Sequence, residues 1–309
     1  MRNAWLKTLF EISKKNSKLI FIGSDLGVNV MSNYKKKFPK RFYMEGISEQ
    51  HIIGMSAGMA SRGFIPYVNT IATFLTRRCF EQNMIDICLH NLPVRLIGNG
   101  GGLVYGPLGP THQAIEDIAL MNTMPNMSIF SVCDSNEMKQ LIVQSQNWKG
   151  PMYIRLGRGF EKVITSKFKF KIGKIVKIIP SEEITIFSTG SMTQEALKAV
   201  KILKQKKINC GLIHVPTLKP FDYKSLKNFS KKIKHIISVE EHIDTGGLGS
   251  ILLENLNRLN LLKKIKLHKI SLPNKFNSFY GSHDELKQRY NLDFKTILKK
   301  VNRINNEKK

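Results

Sequence analysis

One grammar recurs along this chain and restricts its fold more than any other feature. A short apolar run ends in a glycine or serine turn, and a segment with helical spacing follows. Lys18-Leu-Ile-Phe-Ile-Gly-Ser-Asp25 is the first such run. Pro66–Ala72, Leu92–Gly98, Ser128–Val132 and Met152–Arg155 continue the series, with a helix expected from about Phe74 to Asn91. Glu183–Gly190, Cys210–Val215 and His235–Glu240 repeat it in the second half. Strands separated by helices of about 10–15 residues need crossover connections, and those give parallel sheets covered by helices. The expected class is therefore α/β, with doubly wound domains. At roughly 150 residues per domain, 309 residues suggest two. The lysine-rich stretch from Phe160 to Pro180, which carries Gly173, is the expected junction, giving domains over 1–165 and 175–309.

Charge looks like a function signal and is not one. The net charge is +26, with +8 in residues 1–158 and +18 in 159–309. The excess is lysine, and lysine, isoleucine and asparagine fill nearly a third of the chain. All three have AT-rich codons, so a biased genome accounts for them. Lys198, Lys201, Lys204 and Lys207 sit at spacings that spread them over a solvated helix. No nucleic-acid partner is expected. No apolar run approaches the roughly 18 residues of a membrane helix, and no membrane association is expected. Cys79, Cys88, Cys133 and Cys210 form no C-x-x-C pair and read as reduced core residues of a cytoplasmic protein.

Several motifs fail on their surroundings. Gly54-Met-Ser-Ala-Gly58 has the spacing of a serine-hydrolase elbow, which requires a strand before the serine. Ser48–Ile53 reads as the start of a helix instead, so Gly54, Ala57, Gly58 and Ala60 read as small residues for close packing. Gly98–Gly102 and Thr245–Ser250 match neither glycine-rich nucleotide pattern. The eight histidines show no zinc spacing, so no metal is expected on this chain's own residues. Ser48 is a candidate N-cap that puts Glu49 in a first helical turn, where it would complement the helix dipole.

Four elements in one order change the weight of these pieces. They are Ser24-Asp25-Leu-Gly27, Gly46-Ile-Ser-Glu49-Gln-His51, Thr73-Phe74-Leu-Thr-Arg-Arg78 and Gly109-Pro-Thr-His112-Gln113. With Thr185–Ser191, Val239-Glu-Glu-His242 and Gly246-Gly-Leu-Gly249, the set resembles the second half of the transketolase family, deoxyxylulose-phosphate synthases included. The resemblance implies a pyrimidine-binding domain with a mostly parallel sheet. It also implies a smaller C-terminal domain with a mixed sheet.

It further implies thiamine diphosphate as cofactor, a transferase activity moving a ketol or acyl unit, and a role in carbohydrate metabolism. Full-length relatives also carry a region with a Gly-Asp-Gly motif that binds the diphosphate and Mg²⁺ or another divalent ion. This chain contains no Gly-Asp-Gly. The resemblance therefore implies a separate N-terminal transketolase subunit that supplies that half, an α2β2 heterotetramer, and no activity for the isolated chain.

Residue roles follow from the same matches. Glu49 resembles the glutamate that hydrogen-bonds the pyrimidine ring nitrogen, a role that requires shielding from water. Phe74, then Phe80, are the candidates for stacking on that ring. Asp25 resembles an aspartate near the cofactor and the subunit contact. His112 resembles the histidine beside the reacting carbonyl. Arg155 and Arg158 resemble arginines that grip a substrate phosphate. Leu108 departs from the pattern, because relatives carry an aspartate there that reads a substrate hydroxyl. Gly100–Gly102 stands where the synthases carry an arginine. Sugar-phosphate specificity is open on both counts. Two other readings stay open: the β subunit of a 2-oxo-acid dehydrogenase, and a non-catalytic structural subunit that retains the fold.

Overall fold

A computed structural model describes residues 1–24, 31–157, 159 and 161–307. Asp25 and Arg158 lie outside the described residues. Twelve strands form two sheets among the residues described. The first half supplies β1 (Leu19–Gly23), β2 (Phe42–Met44), β3 (Ile65–Ile71), β4 (Arg95–Asn99), β5 (Ser128–Ser131) and β6 (Met152–Arg155). The second half supplies β7 (Val176–Ile179), β8 (Ile184–Ser188), β9 (Gly211–His214), β10 (Thr217–Lys219), β11 (His235–Ile243) and β12 (Lys266–Leu272).

The larger sheet has the order β10-β5-β6-β4-β3-β1-β2 and the smaller one β12-β11-β8-β9-β7. In the larger sheet every pairing is parallel except β10 with β5. In the smaller sheet only β7 runs antiparallel to its neighbour. The two-domain α/β class and the mixed second sheet agree with the sequence reading. The antiparallel edge of the first sheet was not anticipated, because β10 reaches it from the second half of the chain.

Burial explains why the strands read as continuous apolar runs. β1, β4, β5 and β6 are buried at every position, as expected for parallel strands covered on both faces. On one face the helix Arg2–Ser13 lays Trp5, Leu6 and Leu9 against Phe21, Tyr67, Ile97 and Phe130. The other face belongs to a core that crosses between the halves, joining Ile52, Val68, Leu96 and Ile118 to Phe187, Ile213, Leu248 and Leu252. A third core packs the helices Met192–Gln205 and Phe294–Asn306 on the smaller sheet. It also contains Leu103 and Ile115 of the first half.

The expected 74–91 helix forms, but with two π-helical stretches, Phe74–Arg78 and Asn83–Leu89. Such widened turns are rare and concentrate at functional sites. Ser56 lies inside the helix Glu49–Ser61, where its hydroxyl donates to the Ile53 carbonyl at 2.7 Å. It therefore rides no nucleophile elbow. Ser48 does hold the N-cap position, yet its hydroxyl donates back to the Glu45 carbonyl at 2.8 Å rather than capping the helix.

The four cysteines are buried and unpaired. Burial pushes the Cys79 and Cys210 thiols up to about 12. Cys133, Glu137 and His214 meet between the halves, close enough to share a metal ion. Their polar atoms already satisfy one another: Glu137 accepts from the Cys133 amide at 2.8 Å and pairs with His214 Nε2 at 2.9 Å, while Thr193 meets His214 Nδ1 at 2.8 Å.

Candidate active site

In open parallel sheets, ligand sites form beyond the carboxyl ends of the strands. Three segments leave strands at that edge here, β4 and β3 being neighbours and β2 lying one strand beyond, across β1. The helix Glu49–Ser61 follows β2, the π-helical turn Phe74–Arg78 follows β3, and the loop to His112 follows β4. Asn99 at the top of β4 ties two of these exits together, donating to Asn69 Oδ1 at 2.7 Å and to the Thr70 carbonyl at 3.0 Å.

The three segments bring Glu49, Arg78, Phe74 and His112 into one contact chain. Glu49 is only 2% exposed, and its Oε2 accepts from Arg78 Nη1 at 2.5 Å. The same guanidinium lies over the Phe74 ring, 4.4 Å from its centroid. The Phe74 ring also meets the His112 imidazole, edge-on at 5.1 Å. Thr111 Oγ1 meets His112 Nδ1 at 2.9 Å. The shielding expected of Glu49 is therefore present.

Phe80 takes a different place. It lines a neighbouring, mostly apolar cleft of ≈ 690 Å³ with Arg77, Ile115, Glu116, Ile243 and Phe276. An Arg77–Glu116 ion pair closes one wall of it. Phe74, not Phe80, is the aromatic that the fold joins to Glu49 and His112.

Arg155 also differs from its expected setting. Its side chain turns inward beneath the site. Nε donates to Asp117 Oδ2 at 2.7 Å, and Nη2 donates to the carbonyls of Ala114 and Glu241 at 3.0 and 2.9 Å. Tyr153 joins the same carboxylate oxygen at 2.6 Å. Burial alone would make the guanidinium easier to deprotonate, but Asp117 outweighs it and raises the pKa. In this setting Arg155 braces the loop from below and does not present its guanidinium to solvent as a phosphate grip would.

The glycine run acquires a reason here. A Cβ on Gly101 would come within 2.6 Å of the Arg155 side chain, and one on Gly102 within 2.6 Å of Glu241. Gly102 also has φ +72°, which disfavours any side chain. The run is therefore a close-packing device, and the space a larger residue would take is filled by Arg155. The second glycine motif is likewise self-satisfied. Glu240 accepts from the amides of Leu248 and Gly249, at 2.6 and 2.7 Å, at the start of the helix Leu248–Arg258. That helix N-terminus holds the protein's own carboxylate.

Arg78 and Asp117 are the site residues whose roles the sequence reading missed. Arg78 stood inside a quoted motif without an assigned partner, and Asp117 lies four residues beyond Gln113, the end of another. The available signal was a charged residue at the end of a helical turn or at a helix start, and that pattern is common on solvated surfaces.

Large apolar side chains are exposed around this edge. Ile47 lies two residues before Glu49, Leu108 four before His112, and Phe276 beside the Phe80 cleft. Tyr280, also exposed, packs on Gly109, where a Cβ would come within 2.6 Å of its ring.

Comparison with known proteins agrees with this fold. Residues 1–160 match the family model of the transketolase pyrimidine-binding domain, and residues 173–297 that of the transketolase C-terminal domain. An apulose-4-phosphate transketolase subunit of Phocaeicola vulgatus is 30% identical over 96% of this chain and 95% of its own length. The 1-deoxy-D-xylulose-5-phosphate synthase of Caldanaerobacter subterraneus is 33% identical over 94% of this chain but only 46% of its own length. Among solved structures, a split-gene transketolase described as an inactive beta4 tetramer superposes with a TM-score of 0.88 at 31% identity, covering 98% of this chain and 97% of that one. No helix among the described residues is long and apolar enough to cross a membrane. The chain belongs to the transketolase family and spans its pyrimidine-binding and C-terminal domains.

Proposed function

We propose that this chain is the pyrimidine-binding and C-terminal subunit of a thiamine-diphosphate-dependent transketolase-type enzyme, active only with a separate N-terminal subunit. The observation that carries this reading is the setting of Arg78. Its guanidinium is a flat, cationic N–H donor that lies over Phe74 and donates to buried Glu49. A protonated aminopyrimidine is also flat, cationic and an N–H donor. The residues that seat Arg78 therefore fit the pyrimidine end of thiamine diphosphate. On this reading Glu49 and Phe74 hold the ring, with Arg78 moving aside or sharing the carboxylate.

Thiamine diphosphate, when bound, supplies a carbon nucleophile that stores the electron pair released from a ketose or 2-oxo acid. The protein's share is positional and protonic. Glu49 holds or returns a proton at Oε2 in a site screened from water, where a carboxylate works best as an acid–base group. His112 stands beside Phe74 as a donor for the substrate carbonyl oxygen. The chain holds no Gly-Asp-Gly, so the diphosphate and Mg²⁺ are assigned to the partner. Support for a partner comes from the relative that is itself one subunit of a transketolase, from the neighbour described as split-gene, and from exposed Ile47, Leu108 and Phe276. An α2β2 assembly would bury such side chains.

Co-expression with a chain carrying the Gly-Asp-Gly region tests the proposal. Light scattering should give an α2β2 mass, and ketol transfer should appear only in the mixed sample. Oxidative decarboxylation of a 2-oxo acid instead would favour the dehydrogenase reading, and a stable complex without turnover would favour a structural role.

A further inference from the structure

The second domain contributes no member of the Glu49–Phe74–His112 set, yet it grips the segment that carries His112 from both ends. At the upstream end, Glu241 Oε1 accepts from the Leu103 amide at 2.6 Å and pairs with His283 Nε2 at 2.7 Å. All three residues are buried. At the downstream end, Asn277 Nδ2 donates to Gln113 Oε1 at 2.8 Å, and both side chains are buried. Asn277 is itself fixed, because its Oδ1 accepts from Tyr290 at 2.5 Å and from the Phe279 amide at 2.9 Å. The Ile243 amide adds a backbone bond to the Ile115 carbonyl at 2.8 Å. Leu103 and Ile115, which bracket the segment, are buried in the core of the second domain.

Between these anchors the segment has little regular structure of its own. It contains a single short 3-10 turn, Gly106–Leu108. Thr111 Oγ1 and the Gly109 carbonyl hold the His112 ring and amide locally, and Arg77 of the first domain donates to the Pro110 and Gln113 carbonyls; the bonds from the second domain complete this frame. We propose that Asn277 and Glu241 are positioning residues: through Gln113 and Leu103 they make the second domain the template on which the His112 loop is set. The inference rests on the proposed role of His112. It assigns to the second domain a task in the reaction, carried by two side chains that never reach the substrate. A displacement of about 1 Å in a reacting group costs on the order of a hundredfold in rate, so a loop framed by both domains is sensitive to the loss of either anchor.

The test has a structural arm and a kinetic arm. In the structural arm, amide hydrogen exchange is followed on the full chain for Asn277→Ala and for the milder Tyr290→Phe. We expect residues 103–115 to exchange faster in both, more so in Asn277→Ala, with β1, β3 and β8 unchanged. Equal loosening of the whole second domain would reduce Asn277 to a stability residue and overturn the proposal. Unchanged exchange over 103–115 would overturn it as well.

In the kinetic arm, the assembled complex is assayed with hydroxypyruvate as the probe donor. Asn277→Ala should lower kcat about tenfold or more while KM changes little, because alignment and not binding is lost. Asn277→Ala and Gln113→Leu should not add when combined, since they act through one bond; full additivity contradicts the proposal. Tyr290→Phe, which leaves the fold's cores untouched, keeps the kinetic test open if Asn277→Ala does not assemble. A wild-type complex that binds no thiamine diphosphate would sink the functional reading alone, because the exchange result stands without it.

Discussion

Two arginine–carboxylate pairs in this molecule have nearly the same geometry and opposite tasks. Arg78 meets Glu49 at 2.5 Å, and Arg155 meets Asp117 at 2.7 Å. The first pair sits at the mouth of the candidate site, with Arg78 43% exposed over a buried glutamate. The second lies beneath the loop, with both partners almost fully covered and Tyr153 and two carbonyls completing the cage. An exposed guanidinium can return to water when another cation takes its place on the carboxylate, whereas a buried one cannot. Surroundings, not distance, make one pair exchangeable and the other a brace.

The comparison breaks if the two pairs respond alike to mutation. Glu49→Gln should have the largest effect, lowering ketol transfer by the assembled complex on the order of 10²–10⁴-fold, the usual share of a positioned acid–base group. Its urea unfolding should stay within about 1 kcal/mol of wild type, because Arg78 is left where water can reach it. Asp117→Ala should do the reverse. It strands a buried Arg155 charge and should cost about 3–5 kcal/mol in urea unfolding. Similar stability losses in both variants would erase the distinction.

Acid should weaken the scaffold through Glu241. Burial pushes Glu241 up, but His283, Arg155 and the Leu103 amide outweigh it and hold the carboxyl below its usual 4.5. A depressed folded value means that this stability is present above pH 4.5 and is lost as pH falls through the folded pKa. Glu241→Gln should therefore flatten the acid limb of a urea-midpoint profile. Glu240 runs the other way, since burial outweighs its helix amides and raises it; Glu240→Gln should not flatten that limb.

Arg78→Ala sharpens the comparison from the other side. Removing the occupant of Glu49 and Phe74 should tighten thiamine diphosphate binding to the complex, by up to about fivefold for a pair worth at most ~1 kcal/mol. A large loss of affinity would mean that Arg78 is part of the binding site. The smallest effect should come from Leu108→Asp at a half-exposed position: stability within about 0.5 kcal/mol, with a lower KM for hydroxylated donors.

Legibility in the sequence followed the same division between buried pattern and specific partner. β1, β4, β5 and β6 were readable because burial on both faces leaves unbroken apolar runs. β2, β7, β10 and β12 were not. β2 and β10 have only three residues each, β7 is a half-covered edge, and β12 interleaves Lys266, His268 and Lys269 with its apolar positions. The grouping of Glu49, Phe74 and His112 was readable from motif order. Arg155 was misplaced because an arginine ending a strand looks the same in sequence whether it faces a ligand or a buried aspartate 38 residues upstream. The clamp from Asn277 was invisible, since a lone asparagine among small and aromatic residues carries no signal of a partner 164 positions away.

The central claim is that this chain holds half of a cofactor site. Calorimetric titration of thiamine diphosphate with Mg²⁺ tests it most directly, first into the chain alone and then into the chain co-expressed with a Gly-Asp-Gly partner. The account expects no heat of binding from the lone chain and saturable binding from the complex. Tight binding to the lone chain, or none to the complex, would contradict it.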